Sequence, residues 1–265
     1  LNLNEDSALR RTVDILNPIG ADMSVMRTNL VYSMLKTIEN NFKRGNKAAR
    51  FFEIANTYLP KSLPLVELPE EKAKLSIGFY GRNENYYTLK NVVDGIFEVF
   101  GIDASYERAK ETFLHPGRSA YVNAEGQKLG FIGEIHPDVA EKLDVDGRIY
   151  VAELDAEFIA EKAEKVKGFK AFSRYQGMQR DLALIAPDAL PAANIVSVIK
   201  ENGSEILEKV EVFDVYKGGQ IAKDKKSVAV SLTFRDLNKT LKDDEVNADI
   251  AKILKGLSEI NVALR

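Results

Sequence analysis

Apolar residues recur every three or four positions in two stretches of the first half of the chain, which is the period of an α-helix. The first stretch predicts a helix from Ser24 to Arg44 with Ser24 as its N-terminal cap. The second predicts a helix from Tyr87 to Phe100 that ends at Gly101. Apolar runs predict strands at 51–59, 75–80, 121–122, 129–135 and 149–154. Helices and strands in this order indicate an α+β unit with an antiparallel sheet.

The C-terminal part of the chain has a different order of elements. Strands are predicted at 181–185, 210–217, 227–236 and 262–264, with one helix after Pro191 and another after Thr240. On the third strand, alternate positions from Val228 to Phe234 are apolar, and those from Ser227 to Arg235 are small or polar. The order βαββαβ predicts a ferredoxin-like fold with both helices on one face of the sheet and the other face open.

Lysines cluster around a glycine between these two parts and predict a linker over Lys162 to Phe172. The expected domains are therefore 1–165 and 172–265.

Composition excludes several classes of protein. The 265 residues are 45% hydrophobic and 29% charged, as in a globular protein with its own core. No cysteine is present, which excludes disulfides, cysteine zinc sites and thiol nucleophiles and is typical of the reducing cytoplasm. The sequence has no long uncharged apolar stretch, so neither a membrane span nor a secretory signal is predicted. Because the chain begins at Leu1 without Met, we expect it to be part of a longer protein.

Charge points weakly to a polyanion. The net charge of -3 argues against indiscriminate binding of nucleic acid, but residues 217–242 hold seven basic residues against two acidic ones. The open face predicted for the second sheet is flanked by two of these basic residues, Lys217 and Arg235, and by the aromatic residues Phe213 and Tyr216. Such a face suits single-stranded RNA or a protein partner, and these residues alone favour neither.

Short motifs in both parts occur in the order found in one family. The first part contains NPIG at 17–20, MRTNL at 26–30, RFFEI at 50–54, HPGRSA at 115–120 and GEIHP at 133–137. The second contains RDLAL at 180–184, FDVYKG at 213–218, SLTF at 231–234, TL at 240–241 and EVN at 245–247. Together they resemble the C-terminal part of the β subunits of bacterial phenylalanyl-tRNA synthetases.

The resemblance implies a degenerate class II synthetase-like domain followed by a ferredoxin-fold anticodon-binding domain. It implies a non-catalytic subunit that packs on a catalytic α subunit in an α2β2 assembly and binds tRNA(Phe) during ATP-dependent aminoacylation. The segment Arg50 to Glu53 contains the residue types of the aromatic-Arg-x-Glu motif that binds ATP, but in a different order. No catalytic residue is therefore expected. ATP and magnesium are expected at sites outside this chain. The helix from Ser24 to Arg44 is expected either to form part of the α interface or to be buried in its own domain.

Six residues are candidates for RNA contact: Arg180, Phe213, Tyr216, Lys217, Lys226 and Arg235. In a regular strand, Phe213 and Tyr216 differ in parity, so at most one of them lies on the open face. The structural alternative pairs Arg180 with Asp181 or Asp214 and places Tyr216 at the sheet edge.

Two further readings remain. A metal or acid–base site would use His115, His136, Glu134 and Asp138, but their spacing is poor, and Arg118 is expected to pair with Glu134. No metal ligand is therefore predicted. The alternative function is a protein-interaction module that uses the open sheet face without any RNA role.

Overall fold

The structure is a computed structural model that describes residues 1–162, 173–219 and 221–265. The chain divides into two compact units, residues 1–167 and 168–265. Apart from Lys162, the predicted linker lies outside the described residues. None of the helices in the described ranges is long and apolar enough to cross a bilayer.

The first unit is built on an antiparallel sheet, as the sequence pattern predicted, and the sheet has six strands. The strands are β1 (Ala49–Leu59), β2 (Glu70–Tyr80), β3 (Ala104–Arg108), β4 (Leu114–Ala124), β5 (Gln127–Ile135) and β6 (Ile149–Asp155). They lie in the order β1-β2-β6-β5-β4-β3. The helices are α1 (Val31–Lys43), α2 (Tyr86–Phe100), α3 (Pro137–Glu141) and α4 (Ala156–Glu161), with short 3₁₀ turns at Ala8–Arg10 and Ala21–Met23. The sequence pattern missed β3, an edge strand of five residues.

Local signals set several element ends in this unit. Asn85 caps α2 through its side chain, and Gly101 ends the helix in the left-handed conformation with φ of 69°. Glu125 and Gly126 join β4 to β5 with positive φ at both positions, the geometry of a two-residue hairpin turn.

Helix α1 begins at Val31, so the predicted start at Ser24 is wrong. The backbone around Ser24 instead bonds to an earlier segment: the Ile15 N–H donates to the Ser24 carbonyl at 2.8 Å. The apolar stripe of the helix is buried inside its own unit, with Val31 and Ile38 fully inaccessible. The stripe is thus not available for contact with another subunit. This corrects the expectation that it forms part of the α interface.

The second unit has the predicted ferredoxin-like order. Its strands are β7 (Met178–Pro187), β8 (Leu207–Tyr216), β9 (Lys225–Phe234) and β10 (Ala263–Leu264), and its helices are α5 (Ala192–Asn202) and α6 (Asp243–Glu259). The antiparallel sheet has the order β10-β7-β9-β8. Both helices pack on the same apolar face, where Val228, Val230, Leu232 and Phe234 are inaccessible. Thr240 does not cap α6; the Glu245 carboxylate accepts the Lys242 N–H at 3.0 Å.

Candidate nucleic-acid interface

The two faces of the second sheet differ as the sequence pattern predicted. Residues directly opposite each other in antiparallel strands share a face. Leu182, Val230 and Val212 lie opposite one another on the face that carries the helices. The next row on the opposite face consists of Asp181, Ser231 and Glu211. We call this second surface the open face, because α5 and α6 lie on the other side of the sheet.

Tyr216 is the aromatic residue that the strand register assigns to the open face. It lies opposite Ser227 at the end of β8 and is half exposed. The parity argument fails for Phe213, because a register shift between Val212 and Asp214 leaves Phe213 without a partner in the ladder. Phe213 is 59% exposed at this irregularity. Tyr216 therefore offers a stacking surface whose orientation follows from strand pairing.

Lys217 and Arg235 lie at opposite ends of this surface. Lys217 follows Tyr216, which pairs with Ser227, whereas Arg235 follows the other end of β9. Eight residues of strand separate Ser227 from Arg235, a distance of about 26 Å. Lys217 is ion-paired with Asp188. Arg235 donates to Glu208 at 2.9 Å and to the Tyr175 carbonyl at 2.9 Å.

The structure does not bring Arg180 and Lys226 to the open face. Arg180 lies opposite Leu232 and is ion-paired with Asp243 at the start of α6, rather than with the predicted Asp181 or Asp214. Lys226 is only 9% exposed, and its Nζ donates to the Asp188 carbonyl at 3.0 Å. Burial lowers the pKa of the Lys226 amine.

Carboxylates on the open face were not singled out from the sequence. Asp181 and Glu211 flank Ser231, and Asp214 lies opposite Ala229 one row further along. All three are exposed. Alternation with apolar residues could have identified Asp181 and Glu211. It could not have placed Asp214 on the same face as Glu211, because the register shift between Val212 and Asp214 brings them together there. The centre of the open face therefore presents hydrogen-bond acceptors, and its basic residues lie toward the ends.

The segment Arg50 to Glu53, which resembles an ATP-binding motif with its residues in a different order, lies in the first unit. The Arg50 guanidinium donates to both carboxylate oxygens of Glu84, at 2.9 and 3.1 Å, and lies 4.8 Å from the centre of the Phe79 ring. Glu53 accepts a hydrogen bond from Arg27 at 2.7 Å. The motif's arginine and its acid are thus both held by partners within the unit.

The histidines of the rejected metal reading are backbone caps. His115 Nδ1 accepts the Gly117 N–H at 3.0 Å, and His136 Nδ1 accepts the Asp138 N–H at 3.3 Å. Within the described ranges, no group of three or more His, Asp or Glu residues is arranged to hold a metal ion.

Arg118 pairs with Glu134, as expected. Its guanidinium makes two hydrogen bonds, at 2.6 and 2.7 Å, to the buried Glu134 carboxylate. This bidentate geometry is typical of a structural arginine–carboxylate pair.

An exposed apolar surface lies on the first unit beside the edge strand β1. Phe52 is 74% exposed and Ile54 is also exposed. They line a groove of about 650 Å³ together with Phe79, Val92 and Ile159. Exposed apolar patches of this kind often mark interaction surfaces.

Comparisons with known proteins divide the chain in the same order. Residues 1–156 match the family described as phenylalanyl tRNA synthetase beta chain CLM domain, and residues 173–265 match the ferredoxin-fold anticodon binding domain. These matches confirm the resemblance carried by the sequence motifs.

Curated relatives agree with this division. The phenylalanine–tRNA ligase beta subunit of Clostridium acetobutylicum is 40% identical over 258 residues, which cover 97% of this chain and 32% of the relative. That of Clostridium tetani is 41% identical over 256 residues, with 96% and 32% covered. That of Thermotoga maritima is 32% identical over 245 residues, with 90% and 31% covered. The chain therefore spans about a third of the length of these relatives.

Proposed function

The chain belongs to the phenylalanyl-tRNA synthetase beta chain family, and from this we propose that it binds the anticodon region of tRNA(Phe) and packs on a catalytic α subunit in an α2β2 enzyme. The observation that carries the RNA role is the open sheet face, where Tyr216 and three carboxylates surround small residues. Such a surface suits unstacked bases, which proteins recognise by stacking and by hydrogen bonds to base edges.

Each group on this face has a distinct role in the proposal. The Tyr216 ring stacks on a base of the anticodon loop. Asp214, two residues earlier, accepts hydrogen bonds from amino or imino groups on a base edge, a contact that distinguishes bases. Lys217 and Arg235 contact backbone phosphates at the two ends, which contributes affinity without sequence preference.

We propose that this chain does not itself catalyse aminoacylation and derives from a class II fold whose active site has been lost. Arg50 supports this, because Nε and Nη2 of its guanidinium already donate to the two carboxylate oxygens of Glu84. Binding an ATP phosphate through these two nitrogens would require the Arg50–Glu84 pair to break.

ATP and magnesium are therefore proposed to bind outside this chain, on the rest of the enzyme. The described residues offer no cluster of acidic or histidine ligands for a cation. Such an enzyme attaches an amino acid to tRNA, and we propose that it does so in the cytoplasm.

We propose the groove beside β1 as the surface that meets the α subunit. The stripe of α1 is buried within its own unit, whereas Phe52 and Ile54 remain exposed beside the groove. Burying these two side chains at an interface would remove apolar surface from water, at about 25 cal/mol per Å².

The alternative function is a protein-interaction module whose open face binds another polypeptide. One titration separates the two. Labelled tRNA(Phe) and the same tRNA with a foreign anticodon are titrated with the chain at two salt concentrations, and binding is measured by fluorescence anisotropy. The RNA role predicts salt-sensitive binding that weakens with the foreign anticodon. Absent or equal binding would contradict it and favour the protein partner.

A further inference from the structure

A group of lysines lies at the end of the open face where β8 leads into β9. Lys217 and Lys223 lie in this connection, and Lys225 is the first residue of β9. Lys225 lies opposite Pro187 and is two residues before Ser227 on β9. Residues two apart on a strand share a face and are about 7 Å apart. Lys225 therefore lies on the open face, in the neighbourhood of the Tyr216 ring that pairs with Ser227.

Lys223 and Lys225 differ in their partners from several other basic residues of the second unit. Arg180, Lys217, Arg235 and Lys239 are each ion-paired with a carboxylate. Lys223 and Lys225 are exposed, and within the described part of the chain neither has a carboxylate at ion-pair distance. An uncompensated ammonium group next to a stacking surface is suited to a phosphate of the same strand.

We propose that Lys223 and Lys225 form a phosphate subsite for the single-stranded RNA whose base stacks on Tyr216. This subsite rests on the proposed function and adds backbone contacts that the sequence did not single out. Base choice then depends on Asp214, and Lys223 and Lys225 add to the salt dependence that Lys217 and Arg235 contribute.

The Asp188 carboxylate neutralises part of the positive charge at this end of the sheet. Its carboxylate is ion-paired with Lys217, and its carbonyl accepts a hydrogen bond from Lys226 at 3.0 Å. The Lys217 ammonium holds the pKa of Asp188 below its ordinary value, so the carboxylate stays charged at neutral pH. Replacing the carboxylate with an amide would remove this negative charge beside Lys217 and leave the backbone carbonyl in place.

The test uses the whole chain and the two labelled tRNAs at 50 and 200 mM KCl. The variant Lys223→Ala/Lys225→Ala is compared with Lys200→Ala/Lys255→Ala, which removes two exposed lysines from α5 and α6. Each phosphate contact to a single strand contributes about 0.7 to the slope of log affinity against log salt. We expect the first variant to lose about 1.4 from the slope, so that its affinity falls about sevenfold less between the two salt concentrations than that of the unaltered chain.

The anticodon preference separates this subsite from the function on which it rests. The first variant should keep the ratio of affinities for the two tRNAs, and the control variant should keep both ratio and slope. Asp188→Asn should strengthen the binding of both tRNAs without changing their ratio, because it removes a negative charge beside the phosphates. An unchanged slope in the first variant, with the preference intact, would overturn the subsite alone. An equal loss of slope in the control would also overturn it. If the unaltered chain shows no anticodon preference, both the function and the subsite fail.

Discussion

The carboxylate of Glu153 on β6 accepts the backbone N–H of Leu30 at 2.6 Å, immediately before α1. Glu153 is nearly inaccessible, and burial raises the pKa of its carboxyl. A negative charge at a helix N-terminus is favourable, and here it also satisfies a backbone donor that has no partner within the helix. The start of α1 is thus set by a residue more than a hundred positions further along the chain.

Replacing Glu153 should separate the hydrogen bond from the charge. Glu153→Ala leaves the Leu30 N–H buried without an acceptor, so we expect a loss of about 1–3 kcal/mol in the free energy of unfolding. Glu153→Gln keeps an acceptor and should cost less. Urea unfolding of both variants at pH 7 measures this, with the exposed Glu161→Gln as control. Equal losses for Ala and Gln would contradict the role of the hydrogen bond.

The same residue predicts a pH dependence. Because the pKa of Glu153 is raised in the folded state, its contribution to stability is fully present below the unfolded pKa near 4.5 and is lost as pH rises through the folded pKa. The stability of Glu153→Gln relative to the parent chain should therefore improve as pH rises from about 4 to 7. Urea titrations across this range test the sign, and a difference independent of pH would show that burial of the charge has no cost.

Gly130 predicts a second structural effect. A Cβ at this position would lie 1.9 Å from the carbonyl oxygen of Glu153, on a backbone that cannot move aside without disturbing the sheet. Gly130→Ala should therefore destabilise the first unit, by about 1–3 kcal/mol as for other overpacked sites. Gly95→Ala on α2 is the matched control, since a Cβ there meets open space and alanine favours the helix by about 1 kcal/mol. Thermal unfolding should lower the midpoint for the first variant and maintain or raise it for the second.

The open face predicts a division between affinity and base choice. Tyr216→Ala removes the stacking surface and should weaken binding of tRNA(Phe) by about 1–3 kcal/mol, whereas Tyr216→Phe keeps the ring and most of the affinity. Asp214→Asn replaces an acceptor with a group that also donates, so it should reduce the preference for the native anticodon. Anisotropy titrations with the native and the foreign anticodon measure both effects. An Asp214→Asn chain with unchanged preference would remove this carboxylate from base reading.

Lys217 and Arg235 predict a change in salt dependence alone. Lys217→Ala and Arg235→Ala should each weaken binding and lower the salt slope by about 0.7–0.9, because each removes one phosphate contact. The ratio between the two tRNAs should stay constant. Unchanged slopes in both variants would exclude these residues from the interface.

The groove beside β1 predicts a binding defect without a folding defect. Phe52→Glu places a charge at an exposed apolar position, so it should weaken copurification with the α subunit of the same enzyme while the melting temperature stays within a few degrees. Val99→Glu on α2 is the control, because Val99 is also exposed but does not line the groove. If both variants still bind the α subunit as the parent does, the contact surface lies elsewhere.

Much of the fold could be predicted from the sequence because its signals are local. The alternation from Val228 to Phe234 and the stop at Gly101 each depend on neighbouring residues, and the structure has both as predicted. The parity of Lys226 with Val228 was also present in the sequence and already indicated the helix-covered face. Regular periodicity is thus enough to predict the type of most elements and the two faces of the second sheet.

Tertiary structure alone decided where local periodicity stops. Helix α1 begins at Val31 because a buried carboxylate from β6 binds Leu30, and Phe213 leaves the ladder because β8 shifts register against β9. Arg180 found its carboxylate on α6, 63 residues away in sequence, rather than on a neighbouring strand. These outcomes depend on contacts between distant parts of the chain, whose energies exceed local propensities of a few tenths of a kcal/mol per residue. Sequence pattern determined which elements form, and long-range polar contacts determined where they end and which charges remain available to a ligand.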